Sequence, residues 1–245
     1  MIINNRGAVS KALSVLRREI VDKCDICHGM DPGCKCRFKM MIYERAAVAN
    51  VPIGLLPKVF ADFGVGQENN EAVMEVKKAW HDIIYNIREF IKNGPLVFVS
   101  GPNGTGKTMM SCIAIKSAIA SQLTAQYILF NQLISSFLGK NEKNLLEHSV
   151  SRDLLVIDEV GKEYKKVNQF GDYDINNNMA SYAKYIFENV VKLRSDAGLS
   201  TILISNDDEE EIQARYGGAD SALVSVLKSS KTKKIFHTGI DFRSL

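Results

Sequence analysis

The chain has 245 residues, 46% hydrophobic and 24% charged, which excludes a disordered, fibrous or collagen-like protein. Its 31 Lys+Arg against 28 Asp+Glu leave a formal charge of +3, too small to imply nucleic acid by bulk charge, so any such claim must rest on local patches. The length suits one large domain with a small appendage, and no run approaches the roughly 18 apolar residues of a membrane span.

The opening residues lack the apolar core and cleavage site of a signal peptide, so a cytoplasmic chain with no membrane partner is expected. Val9, Leu13, Leu16 and Ile20 step at helical spacing and predict an amphipathic helix over 8–22. Cys24, Cys27, Cys34 and Cys36 follow, spaced C-x2-C-x6-C-x1-C. In a reducing compartment such a cluster reads as a metal site rather than a disulfide pair. Four thiolates suit tetrahedral Zn²⁺, and the site would be structural because no coordination position stays open. His28 is a substitute ligand, and a redox or unliganded cluster is the alternative. A second helical stretch covers 40–48. Pro52, Gly54 and Pro57 then punctuate the chain, predicting an N-terminal helical, cysteine-rich module over 1–52 and a second domain over 53–245.

Residues 71–92 carry one apolar stripe and predict a long helix that stops at Asn93-Gly94-Pro95. Short apolar runs then alternate with periodic ones: strands at 96–100, 126–130, 154–158 and 201–205, helices at 107–122 and 178–195. All-apolar strands separated by helices indicate an α/β fold with a parallel central sheet covered on both faces. Helices near 209–215 and 220–229 and a strand at 234–238 close the chain.

Gly101-Pro102-Asn103-Gly104-Thr105-Gly106-Lys107-Thr108 satisfies G-x-x-x-x-G-K-[ST] between a strand and a helix. Such a loop turns successive N–H groups toward a phosphate chain, with Lys107 reaching the β/γ-phosphates and the Thr108 hydroxyl on Mg²⁺. The strand at 154–158 delivers Asp158 to its C-terminal end, placed for the Mg²⁺ shell, with Glu159 as the candidate general base. Paired acids there favour ATP hydrolysis over a small-molecule kinase. Asn206, ending the strand at 201–205, is either a γ-phosphate sensor or a turn residue. The acidic run 207–211 reads as a dipole-stabilised helix start, and Cys112 as core. Lys162, Lys165 and Lys166 beside Tyr164, Phe170 and Tyr173 read either as a single-stranded nucleic-acid track or as a solvated loop. Lys228, Lys231, Lys233 and Lys234 are explained as well by a solvated face.

The order of these parts resembles a AAA+ ATPase, and within that superfamily the DnaC/DnaI-type replicative-helicase loaders and their relative, the IstB transposition ATPase. The resemblance rests on 101–108, 154–161 (LLVIDEVG), 193–206 (LRSDAGLSTILISN), the closing 237–243 and the lead-in at 48–63. The cysteine module is similar in style only. The resemblance implies an ATPase that loads a replicative DNA helicase. The N-terminal module would bind that helicase, the AAA+ domain would bind single-stranded DNA, and ATP would promote a homo-oligomer. An IstB-like partner of a transposase on duplex DNA is the alternative. The family's arginine pair after the sensor strand is missing from 220–228, which leaves Arg215 or Arg194 as the nearest candidate to act on a neighbour's γ-phosphate.

Overall fold

The structure is a computed structural model describing residues 6–138, 151–162, 177–216, 222–238 and 241–242, with side chains left aside at 137–138, 177–183, 215, 222 and 223. Helix α1 (Arg6–Arg17) runs into a π-helical turn (Arg18–Asp22), and α2 (Lys35–Val48) begins at Cys34. The predicted long helix is two, α3 (Glu71–Tyr85) and α4 (Ile87–Lys92), because Asn86 leaves helical geometry at φ −108°, ψ 32°. The side chain of Asn70 caps α3 by accepting from the Val73 amide.

Five strands form one parallel sheet: β1 (Leu96–Ser100), β2 (Ala125–Leu129), β3 (Leu154–Val160), β4 (Ser200–Ser205) and β5 (Thr232–Phe236), in the order β2-β3-β4-β1-β5. Strand β1 lies between β4 and β5, so the loop that follows it emerges beside the C-terminal end of β4 and one strand away from that of β3. Crossover helices are α5 (Lys107–Ala120), α6 (Phe130–Leu138) and α7 (Asn177–Asp196), with α8 (Glu209–Tyr216) and α9 (Ala222–Lys228) before β5. Helix α6 has no counterpart in the sequence reading because it starts directly at the end of β2, without turn residues. Strand β5 starts two residues earlier than its expectation. It is an edge strand, and its lysines hide it from hydrophobic patterning.

The strands alternate between two cores. Val97, Val99, Val156, Ile202 and Ile204 face one cluster with α3 and α5, centred on fully buried Trp80, Cys112 and Ile115. Phe98, Leu155, Ile157 and Leu203 face a second, with Phe130, Phe187 and Tyr216 packed edge to face. A third, small core holds Val21, Cys27, Cys34, Cys36 and Met40. Helix α2 belongs to two of them: Cys36 and Met40 close the cysteine core, while Tyr43, Ala46 and Ala47 enter the main one. Just beyond α2, the Tyr127 amide donates to the Ala49 carbonyl at 2.8 Å, tying this segment to the sheet edge.

Arg194 corrects an expectation. It is fully buried, its Nε donating to Thr201 Oγ1 at 2.9 Å and its Nη2 to the Ser200 carbonyl at 2.6 Å. A guanidinium so placed braces α7 against β4 and does not reach a neighbouring subunit. The Arg215 side chain, like Lys165, Lys166, Tyr164, Phe170, Tyr173 and the stretch 217–221, lies outside the description.

Candidate functional site

The loop after β1 is held by its own side chains. Thr105 Oγ1 donates to the Pro102 carbonyl at 2.9 Å, and the Lys107 ammonium donates to the carbonyls of Gly101 and Pro102, both at 2.6 Å. Three positions demand glycine, Gly104 (φ +79°) among them. Gly101 has φ +131° and a Cβ there would lie 2.1 Å from the His237 carbonyl oxygen; Gly106 has φ +83° and its Cβ would meet the Phe63 ring at 2.9 Å. Helix α5 begins at Lys107, so its first-turn N–H groups and positive dipole end face the loop.

Asp158 joins this loop to β3. Its Oδ2 accepts from Thr108 Oγ1 and from the Tyr127 hydroxyl, each at 2.7 Å, and its Oδ1 accepts from the Glu159 amide at 2.7 Å. Burial pushes the Asp158 carboxyl above the ordinary carboxylate range, and the bonds from Thr108, Tyr127 and the Glu159 amide pull against it. Burial and the adjacent carboxylate raise the Tyr127 phenol as well, so it stays a donor. A buried carboxylate next to a hydroxyl is the donor set that hard Mg²⁺ takes alongside phosphate oxygens.

Glu159 occupies the left-handed region at φ +62°, where the β3–β4 register shifts between Ile157 and Val160. A bulge of this kind re-aims a side chain. The Glu159 carboxylate meets Lys162 Nζ at 2.6 Å, with both side chains over a third exposed. Beside it Ser205 Oγ donates to the Val160 carbonyl at 2.8 Å, which fastens the end of β4 and the Asn206 that follows.

A cavity of about 660 Å³ brings these groups together. Residues 103–109, Asp158, Glu159, Lys162 and Asn206 line it, together with Leu55, Lys58, Asp62, Val65 and Phe242. Gly101 and Pro102 do not line it; they lie behind the loop as acceptors for Lys107. Tyr127, Leu55, Lys58, Asp62, Val65 and Phe242 were not expected as site residues, since none carries a chemical motif. Lys116 was not expected either. Its ammonium, 8% exposed on α5, donates to the carbonyls of Leu55, Leu56 and Lys58 and lies 5.7 Å from the Tyr43 ring centroid. Burial lowers its pKa to about 8. It fixes the wall at Leu55 and Lys58 by capping three carbonyls.

The four cysteines converge, with every Sγ within 4.8 Å of the others, and His28 is outside the group. Cys24 and Cys34 are 3.8 Å apart and Cys27 and Cys36 3.5 Å apart. A tetrahedron with Zn–S near 2.3 Å has an edge of about 3.8 Å, so the donor set fits Zn²⁺. Burial pushes the Cys36 thiol up to about 12. Cys27 is held at about 7 against its burial by the amides of Asp31 and Gly29 and by neighbouring thiols. Of the basic stretches, Lys234 pairs with Glu209 at 2.6 Å and Lys233 donates to the Ala79 carbonyl. Asp208 and Glu211 form a reciprocal capping box at the start of α8, which absorbs the acidic run.

The sequence matches no protein-family model and no curated protein. Among solved structures the fold is similar to that of the DnaC helicase loader, with TM-score 0.54 and 15% identity over 69% of this chain and 92% of that one. It is similar to DnaI at TM-score 0.57 and 15% identity, covering 78% and 93%. A candidate primosome component from Streptococcus pyogenes serotype M3 gives TM-score 0.58 and 15% identity, covering 81% and 95%. The chain therefore shares the fold seen in DnaC and DnaI, with a four-cysteine cluster at its N-terminal end.

Proposed function

We propose that the chain is an ATP-dependent loader of a replicative DNA helicase. The observation that carries this reading is the Thr108–Asp158 hydrogen bond, which joins loop and strand at the mouth of one cavity on a loader-like fold. Bound Mg²⁺ would supply charge neutralisation for the phosphates, held by Thr108 and Asp158. Lys107 exchanges the carbonyls of Gly101 and Pro102 for phosphate oxygens. Glu159 takes the proton of the attacking water, and the Asn206 amide orients that water or the γ-phosphate. Lys162 sits 2.6 Å from Glu159 and holds the carboxylate while the base is idle.

Residues 1–52 form the helicase-binding module around Zn²⁺, and the AAA+ domain, oligomeric with ATP, binds single-stranded DNA. Lys162, with Lys165 and Lys166, supplies phosphate contacts, so DNA affinity falls steeply with salt. ATP tightens DNA binding only by its differential affinity for the assembled state. The test is titration of single-stranded and duplex DNA, with and without ATP, at two salt concentrations. Tighter single-strand binding with ATP is expected. An ATP-dependent preference for duplex would replace this reading with a transposition ATPase, and no DNA binding under any condition would reject both.

A further inference from the structure

The segment that follows β5 grips the outside of the phosphate loop. The His237 amide donates to the Ser100 carbonyl at 2.8 Å, and its ring, 1% exposed, lies between Trp80 and the loop. Trp80 Nε1 approaches His237 Nε2 at 2.8 Å. An indole nitrogen only donates, so Nε2 is the acceptor and the single ring proton sits on Nδ1. Nδ1 is 2.8 Å from the Thr105 carbonyl oxygen, to which it donates. Five residues on, the Phe242 amide donates to the Gly104 carbonyl at 3.0 Å. Phe63 sits edge-on against the His237 ring, 5.7 Å between centroids.

A trans peptide is planar, so its C=O and N–H point in opposite directions. Pinning the Thr105 carbonyl from His237, outside the cavity, turns the Gly106 amide to the inner side of the loop. Anions are bound by inward N–H groups of this kind.

We propose that His237, held by Trp80, is a positioning residue of the phosphate loop that pre-sets the Gly106 amide for a nucleotide phosphate. This rests on the nucleotide reading above. His237 does not line the cavity, so its contribution is pre-organisation: the loop is already in its binding geometry and spends less of the binding free energy on ordering. Trp80, the one tryptophan in the chain, orients the imidazole as the second link.

The test is calorimetric titration of the full chain with Mg-ATP in the parent, His237→Phe and His237→Gln. Phenylalanine keeps a ring in the site without a donor; glutamine can accept from Trp80 and donate to Thr105. A positioning role predicts about tenfold weaker binding for His237→Phe, the size of one lost orienting hydrogen bond, and recovery of most of it in His237→Gln. A purely packing role predicts parental affinity for His237→Phe and the larger loss for His237→Gln, and that order overturns the proposal. Should His237→Phe fail to fold, Trp80→Phe decides: it removes the indole donor to His237 Nε2 and keeps a ring in the core, so it should also weaken Mg-ATP binding, and parental affinity in a folded Trp80→Phe overturns the proposal. A parent chain that binds no Mg-ATP overturns the nucleotide reading and this proposal together, whereas a binding parent with equal affinities across the series overturns the proposal alone.

Discussion

At the scale of single residues, neighbouring groups in one site are assigned different tasks by burial. Asp158 is 4% exposed and accepts three hydrogen bonds, which suits a fixed anchor; Glu159, next to it, is partly exposed and ion-paired, which suits a group that must move a proton. Lys107→Ala should abolish ATP binding, and Glu159→Gln should bind ATP but not hydrolyse it, since shape survives and the base does not. Binding and phosphate-release assays check both; unchanged hydrolysis by Glu159→Gln removes it from the mechanism. His237 adds a pH dependence. Burial, opposed by the bond to Thr105 and aided by nearby Lys107, lowers its pKa from 6.5 to about 4. The unfolded chain therefore binds the extra proton between pH 6.5 and 4, so stability falls as pH drops through that window, by about 3 kcal/mol for this group. Denaturant titrations from pH 7 to 4 should show a shallower loss in His237→Gln than in the parent.

At the scale of elements, α2 links two cores that the sequence divides at residue 52. Its first turn carries Cys36 and its later turns bury Tyr43, Ala46 and Ala47 against the main core. Replacing Cys24 and Cys27 by serine should release about one Zn²⁺ per chain and melt the cysteine core while nucleotide binding persists. Metal analysis of chelator-free preparations checks the metal, and protein purified without zinc would sink the assignment. Cutting the chain before Val51 has a different consequence. It deletes Tyr43, Ala46, Ala47 and the Ala49 carbonyl that receives the Tyr127 amide. Burial of that much apolar surface is worth about 3–5 kcal/mol. A chain starting at Val51 should thus unfold at lower denaturant than one starting at Phe38, although both keep every phosphate-loop residue. Equal midpoints would show that α2 contributes nothing to the larger core.

At the scale of the whole molecule, the β2-β3-β4-β1-β5 order brings three strand ends to one cavity. Strand β1 lies between β4 and β5, and β3 lies next to β4, so the phosphate loop, Asp158 and Asn206 come together although they are some 50 residues apart along the chain. Ligands bind at the carboxyl ends of such strands because helix N-termini and loop amides collect there. The net charge of +3 is small. Under the proposed function nucleic-acid affinity rests on Lys162 and its neighbours; Lys162 is ion-paired with Glu159, as Lys234 is with Glu209. A salt slope that ignores Lys162→Ala would contradict that assignment.

The phosphate loop, the Asp158–Glu159 pair, the four cysteines and the parallel sheet were legible in the sequence, because each depends on local spacing: glycines before Lys107, acids at the end of an apolar run, thiols within 13 residues of one another. What the sequence could not hold is whatever depends on contact between distant segments. Tyr127 reaches Asp158 across a strand pairing, Lys116 caps carbonyls some 60 residues away, and Trp80 meets His237 across 157 residues. No periodicity records such meetings. Arg194 is the reverse case, a charged residue whose position suggested a neighbour's phosphate and whose burial beside Thr201 and Ser200 gives it to the core. Spacing along the chain determined which chemistry is present; packing between remote segments decided which residues hold it in place.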